Sequence, residues 1–137
     1  MTIKETYNYL LQIKKLEAHI QNLMLQCDSL RSNLLPAGIR YDTDRVISSP
    51  DDKMSEIEAI VFDMEKEIKQ LRQQKQRLIV EVTSSLYRLN NDEERSVLML
   101  YYIGKRHMEQ IATEIPCNIR TAYKIKKRAI QNLSRLI

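Results

Sequence analysis

Apolar residues recur at intervals of three and four along the first 34 residues, the spacing typical of one face of an α-helix. The series comprises Ile3, Tyr7, Leu10, Ile13, Leu16, Ile20, Leu23, Cys27, Leu30 and Leu34. From Leu16 onward the intervals alternate strictly, as in a heptad repeat. Neither glycine nor proline occurs before Pro36. The pattern predicts a helix over about residues 3–34, which is long for a compact domain and suited to pairing with another helix.

A second series with the same spacing predicts a second long helix over residues 54–89. Its members are Met54, Ile57, Val61, Met64, Ile68, Leu71, Leu78, Val82, Leu86 and Leu89. Lys75 stands where one more apolar residue is due. Residues 35–53 contain Pro36, Gly38 and Pro50 and lack the helical period, so they are predicted to form a loop.

Two long amphipathic helices joined by a loop pair most simply as an antiparallel helical hairpin, a coiled-coil arm over residues 1–89. The alternative is that the same stripes pair between two chains. Ile60, Phe62 and Ile79 widen the second stripe. Because four helices from two chains bury more of such a wide stripe than one hairpin does, we expect a homodimer formed through the arm.

Residues 90–137 carry the pattern of three shorter helices. Asn90 or Asn91 can cap the first, three acidic residues fill its opening turn, and Gly104 is placed to end it. The segment "HMEQIATEI" predicts a short second helix, and the last helix begins near Ile119 with Asn118 as its cap. The predicted fold is therefore all-α, with a hairpin arm followed by a C-terminal helix-turn-helix unit at 90–137.

Spacing inside the last two predicted helices supports the helix-turn-helix assignment. Such a unit needs a small residue where the helices touch and apolar residues on the inner face of the second helix, and Ala112, Ala122 and Ile125 stand at matching separations. Ile111 and Ile115 complete the small core. The outer face of the last helix then carries residues that a groove-bound helix turns toward bases and phosphates, namely Ile119, Arg120, Thr121, Tyr123, Lys124, Lys127 and Arg128.

The net charge of +4 is unevenly distributed along the chain. Residues 1–95 hold 14 Lys/Arg and 16 Asp/Glu, a net charge of −2. Residues 96–137 hold 8 Lys/Arg and 2 Asp/Glu, a net charge of +6. This asymmetry indicates a polyanionic partner for the C-terminal part alone.

Several classes of function lack the residues they need. The apolar runs are too short for a membrane span or a signal peptide, so we expect a cytoplasmic protein without a membrane partner. Cys27 and Cys117 are far apart, and His19 and His107 are the only other soft ligands, so no metal site or cofactor is expected. No Gly-rich phosphate loop, nucleophile–base pair or carboxylate cluster points to an enzyme.

The stretch "LNNDEERSVLMLYYIGKRHMEQIATEIPCNIRTAYKIKKRAIQNL" resembles region 4 of bacterial sigma factors, which holds the upstream promoter element. This resemblance covers about a third of the chain. The preceding segments, with "RYDTDRVISSPDDKM" between two long helices, are similar to short phage and prophage proteins of Gram-positive bacteria related to autolysin-regulator-like late transcription regulators. Together the resemblances imply a promoter-binding transcription regulator in the bacterial host cell, with RNA polymerase as a further partner.

The resemblance also implies roles for individual residues. Ile119, Arg120 and Lys124 align with positions that read bases, whereas Thr121, Tyr123 and Arg128 align with contacts to the DNA backbone. Lys126 and Lys127 add cations beside Arg128, and we expect all three to contact phosphates. Related proteins usually place glycine where Pro116 stands, and proline cannot adopt the positive φ of glycine, so a different turn is expected here.

Two other classes of function fit the same pattern. Small terminase subunits of phage packaging machines also combine a helix-turn-helix with oligomerising helices, although there the DNA-binding unit usually comes first in the chain. A coiled-coil module that binds a protein partner without DNA fits as well. A ring-sized oligomer favours packaging, whereas absence of DNA binding at low salt favours the interaction module.

Overall fold

The computed structural model describes residues 1–33 and 50–137, and within these residues it contains helices and no strand. The predicted all-α class is confirmed. The helices are α1 (Ile3–Ser32), α2 (Pro50–Leu86), α3 (Asp92–Leu98), α4 (Met108–Glu114) and α5 (Ile119–Leu136). A π-helical turn, Met99–Ile103, continues α3.

The two long helices differ from prediction mainly at their ends. α1 ends at Ser32, two residues before the predicted end at 34, and α2 begins at Pro50 rather than near residue 54. A proline fits the first turn of a helix because its missing N–H has no partner to lose there. Most of the predicted loop, 35–53, lies outside the described residues.

The described helices form two compact units, and the division differs from the predicted boundary between residues 89 and 90. One, here called the composite unit, contains residues 1–17 and 75–137; the other, the helix-pair unit, contains residues 18–74. The first turns of α1 and the last turns of α2 thus belong with the shorter helices. The reason is a shared apolar core, whose buried members are Leu10, Ile13, Val82, Leu86, Leu89, Leu98, Tyr102, Ala129, Ile130 and Leu133.

In the composite unit the polar interruption of the second stripe has a specific partner. The ammonium of Lys75 pairs with the carboxylate of Glu17, and both side chains are about four-fifths buried. The other oxygen of Glu17 accepts a hydrogen bond from Lys105 Nζ at 2.5 Å. Partly buried charges are stable when they are paired and hydrogen-bonded, so one acid compensates two cations here.

In the helix-pair unit α1 and α2 run antiparallel within one chain. Ile20, Leu23, Cys27 and Ile68 form its buried core. The Arg72 guanidinium lies 3.3 Å from Met24 Sδ, whereas Arg31, further along α1, pairs with Glu65, which is earlier in α2. Residue numbers therefore rise along one helix as they fall along the other. This arrangement is the predicted antiparallel pairing, formed inside the chain.

Gly104 ends the third helical segment as predicted, but its role depends on space and not on a positive φ. Its φ is −80°, and a Cβ atom here would lie 3.0 Å from the carbonyl oxygen of Leu100. The next residue, Lys105, takes the left-handed conformation with φ 57°. Close approach of the backbone thus selects glycine at 104, and the reversal falls on the residue after it.

Leu10→Ala tests whether the first turns of α1 belong to the composite unit. Leu10 is fully buried in that core, so its truncation is expected to lower the free energy of unfolding by about 2–5 kcal/mol. Guanidinium unfolding followed by circular dichroism measures the change. Val80→Ala in the same unit is the control, because Val80 is 61% exposed and its truncation should change stability by less than about 0.5 kcal/mol. Equal effects of the two substitutions contradict the packing.

Candidate nucleic-acid interface

The helix-turn-helix begins with hydrogen bonds at both helix starts. At α4 the side chain of Gln110 accepts a hydrogen bond from the backbone N–H of His107 at 3.1 Å. At α5 the side chain of Asn118 accepts from Thr121 N–H at 2.8 Å, which confirms the predicted cap. These bonds satisfy backbone donors that have no partner within the first turn. Both helix starts are therefore fixed by their own sequences.

The predicted core of the helix-turn-helix is present. Its buried members are Val97, Met108, Ile111, Ala112, Ala122 and Ile125, and Ile115 packs partly buried against them. Ala112 on α4 and Ala122 on α5 belong to the same cluster, and such small side chains permit close approach of two helices. Val97 brings α3 into this cluster, so α3 supports the pair from behind. The spacing that predicted the unit thus reflects actual burial.

The turn between α4 and α5 closes without a left-handed residue. Ile115, which follows α4, has φ −106° and ψ 91°, and Asn118 has φ −85° and ψ 165°. In the described part of the chain Lys105 is the only non-glycine residue with positive φ. Cys117 N–H instead bonds back to the carbonyl of Ala112 at 3.1 Å. Pro116 is compatible with this turn, because none of its residues needs a positive φ.

Three predicted contact residues form one continuous cationic face on α5. Successive residues on a helix are rotated by about 100°, which places Arg120, Lys124 and Lys127 on the side opposite the buried core. All three are exposed, and among the described residues no carboxylate pairs with them. We call these three residues the cationic face. Ile119, Thr121 and Tyr123 are exposed along its edges.

Lys126 points to the composite unit's own aromatic residues. Its ammonium lies 3.9 Å from the centroid of the Tyr101 ring, and the ammonium of Lys14 lies 3.5 Å from the same centroid. Tyr101 in turn packs edge-on against Tyr102, with ring centroids 4.9 Å apart and an interplanar angle of 87°. Cations are attracted to the faces of aromatic rings, so Lys126 has an intramolecular partner.

Arg128 also has an intramolecular partner, the carboxylate of Glu94 on α3. Arg128 Nε donates to Glu94 Oε1 at 2.9 Å, and the amide of Asn132 donates to both oxygens of that carboxylate at 2.8 and 3.1 Å. The Glu94 side chain is only 4% exposed, whereas that of Arg128 is 54% exposed. These charge-assisted bonds tie α3 to α5, and one side of the guanidinium still faces solvent.

Tyr102 contributes packing in the interior of the composite unit. It is 1% exposed, and its hydroxyl has no hydrogen-bond partner among the described residues. Burial, with a smaller contribution from the neighbouring Tyr7 and Tyr101, raises the pKa of the Tyr102 phenol far above its usual value. The phenol therefore stays neutral and offers no acid or base for chemistry. Of the tyrosine pair, Tyr102 lies in the core and Tyr101 is partly exposed.

The sequence does not predict the contacts that Glu94, Lys14 and Tyr101 make at this surface. In the sequence Glu94 is one of three acids that favour a helix start, whereas in the structure Asp92 and Glu93 are exposed and Glu94 is buried. Its position three residues before Val97, on the inner side of α3, was the available clue. No comparable clue exists for Lys14, since its contact with Tyr101 joins residues 87 positions apart.

Metal and membrane sites are not found in the described structure. In residues 1–33 and 50–137 no group of three His, Cys, Asp or Glu side chains is arranged to hold a metal ion. None of the described helices combines the length and the apolar character needed to cross a bilayer.

Comparison with known proteins yields one match. A family model with the description "Protein of unknown function (DUF1492)" matches residues 40–134, more than half of the chain. No curated protein and no solved structure matches the chain. The matched span includes α2, the helix-turn-helix and the cationic face, whereas α1 lies outside it.

Glu94→Gln tests the bonds that tie α3 to α5. The substitution removes the charge of a buried acceptor of three hydrogen bonds, so the free energy of unfolding should fall by about 1–3 kcal/mol. Chemical unfolding measures this change. Glu93→Gln is the matched control, because Glu93 is exposed in the same helical turn and should change stability by less than about 0.5 kcal/mol. A Glu94 variant as stable as the Glu93 variant contradicts the proposed tie.

Proposed function

The chain belongs to the family described as "Protein of unknown function (DUF1492)", and we propose from its own residues that it is a sequence-specific transcription regulator that binds double-stranded DNA. The single observation that carries the proposal is the cationic face of α5. Arg120, Lys124 and Lys127 point away from a packed helix-turn-helix core, and no described carboxylate neutralises them.

The proposed contact places α5 in a major groove, which is about 12 Å wide and admits one α-helix. Residues at the start of α5 enter deepest in such docking. Arg120 and Lys124 donate hydrogen bonds to base edges, and Ile119 offers an apolar contact to a thymine methyl group. These three side chains therefore choose the sequence.

Contacts to phosphates supply most of the affinity. Lys127, Thr121 and Tyr123 lie at the edges of the cationic face and suit this role. Arg128 contributes only the part of its guanidinium that Glu94 leaves in solvent. Lys126 is the least suitable of the predicted phosphate contacts, because its ammonium lies on Tyr101. The proposal therefore keeps Lys127 as the main phosphate contact.

A homodimer formed through the helix-pair unit is the second part of the proposal. In this unit a groove of about 550 Å³ is lined by uncharged residues that include Leu25, Leu30, Ile60 and Met64. Leu25 is 64% exposed and Ile60 is 49% exposed. Burial of this apolar surface against a second copy stabilises a dimer, and two DNA-binding units then read two half-sites. RNA polymerase, acting in the bacterial cytoplasm, remains a proposed partner by resemblance to sigma region 4.

Arg120→Ala and Lys127→Ala separate base reading from phosphate contact. Selection from a randomised duplex library followed by sequencing gives the site, and gel shifts across a salt series give the affinity. Arg120→Ala should cost about 1–3 kcal/mol on the selected site and relax the preference at one position. Lys127→Ala should weaken all duplexes alike and lower the slope of log K against log salt by about 0.9.

Lys66→Gln is the charge-matched control for both variants. Lys66 is exposed on α2 in the helix-pair unit, away from α5 in sequence and outside the proposed contact. Its removal should leave the salt slope and the base preference unchanged. If wild-type protein binds no duplex at low salt, the proposal is wrong and the interaction module is favoured.

Ile60→Glu tests the dimer. Light scattering coupled to size exclusion should give twice the chain mass of 16.2 kDa for the wild type. A carboxylate in the apolar groove is costly to bury, so the variant should elute as a monomer with unchanged helix content. Lys66→Glu on the exposed side of the same helix should remain dimeric. A ring-sized assembly of the wild type contradicts the dimer and favours a packaging subunit.

A further inference from the structure

A groove on the composite unit lies beside α5, between this helix and the first turns of α1. Its volume is about 700 Å³, and its exposed surface is mainly apolar. Ile3 and Tyr7 line it from α1, and Tyr123 and Ile130 line it from α5. Tyr7 is 42% exposed and Tyr123 is 53% exposed. Two aromatic rings are thus available to a ligand at one concave site.

The margin of this groove is cationic. Lys4, Lys126 and Lys127 also line it, and no acidic residue does. Lysine side chains can cover apolar surface with their stems while the ammonium stays in solvent. The ligand that fits such a site has apolar or aromatic groups for the floor and negative charges for the margin.

The groove is distinct from the cationic face that we assign to duplex DNA. With about 100° between successive residues, Tyr123 and Ile130 are rotated on α5 by roughly a quarter turn from Arg120 and Lys124. Lys127 stands at the boundary of the two surfaces. Tyr123 and Lys127 border both surfaces, so a duplex on the cationic face and a second anionic ligand in the groove compete for these two side chains.

We propose that this groove binds single-stranded DNA, with unpaired bases stacked on Tyr7 and Tyr123 and phosphates paired with Lys4 and Lys127. A duplex keeps its bases stacked inside and offers no flat apolar surface to the groove, whereas a single strand offers bases and phosphates in alternation. Aromatic rings set in a cationic groove are the usual means of binding single strands without sequence preference. The site needs no duplex to form, since all its residues belong to the composite unit.

The test uses the full chain and fluorescein-labelled oligothymidylate of twelve nucleotides, with binding followed by fluorescence anisotropy. Tyr123→Leu keeps an apolar side chain but removes the aromatic ring, so affinity should fall about ten-fold, whereas Tyr123→Phe should stay within about two-fold of wild type. Tyr7→Leu and Tyr7→Phe should behave in the same way. Thermal unfolding of each variant identifies any loss of binding that arises from unfolding.

The contribution of the lysine margin to the affinity for the oligonucleotide is measured separately. Lys4→Gln should lower the slope of log K against log salt by about 0.7, the value for one phosphate contact on a single strand. Lys66→Gln, exposed in the helix-pair unit, should leave that slope unchanged. An unchanged slope for Lys4→Gln contradicts the assignment of this lysine.

Three results overturn the proposal. The first is absence of oligothymidylate binding at low salt. The second is equal affinity of the Leu and Phe variants, which means that apolar contact suffices. The third is a combined result with an amphipathic peptide of glutamate and leucine: the peptide displaces the oligonucleotide, and the Tyr123→Leu variant still binds the peptide. This result would identify an acidic protein as the partner. Duplex gel shifts of the Arg120→Ala variant are run in parallel. Because Arg120 does not line the groove, these gel shifts test the duplex proposal independently of single-strand binding.

Discussion

Burial of the inner side of α5 is the constraint on which the rest of the structure depends. Ala122 and Ile125 are buried in the helix-turn-helix core, and Ala129, Ile130 and Leu133 are buried in the core shared with the long helices. Most of the stability of a helix in a protein comes from packing of its apolar face. Two apolar clusters along one side therefore hold α5 in a fixed orientation, so that the cations on the opposite side are exposed to solvent.

The cations of α5 divide into those that stabilise the fold and those that are available to a ligand. Arg128 is bound to a buried acid, and Lys126 lies on an aromatic ring. Arg120, Lys124 and Lys127 have no such partner in the described residues. Counting charges along the helix overstates the surface offered to a polyanion, because two of the six Lys/Arg residues of α5 already interact within the chain. The distinction rests on contacts with Glu94 in α3 and Tyr101 in the π-helical turn, which lie far from α5 in sequence.

Local patterns in the sequence were enough to predict the helices and the helix-turn-helix core. The heptad spacing, the Asn118 cap and the small residues Ala112 and Ala122 act within a few turns, so their consequences can be read from the sequence directly. The ends of the long helices, the partners of Glu94 on α5 and the contact between Lys14 and Tyr101 could not be predicted. Each depends on which distant residue becomes a neighbour, and periodicity carries no information on that choice. Lys75 is an example, because in the sequence it only interrupts the apolar stripe, whereas in the structure it forms an ion pair with Glu17.

Because residues 1–17 and 75–137 share one core, the helix-pair unit is an insertion within the chain of the composite unit. Contacts in such a core join residues that are far apart in sequence, and their formation requires closure of a long loop. Pairing of α1 with α2 brings Glu17 next to Lys75, so it shortens the loop that has to be closed. Because Leu10 and Ile13 share this core with Ala129, Ile130 and Leu133, the core is complete only after α5 has been synthesised.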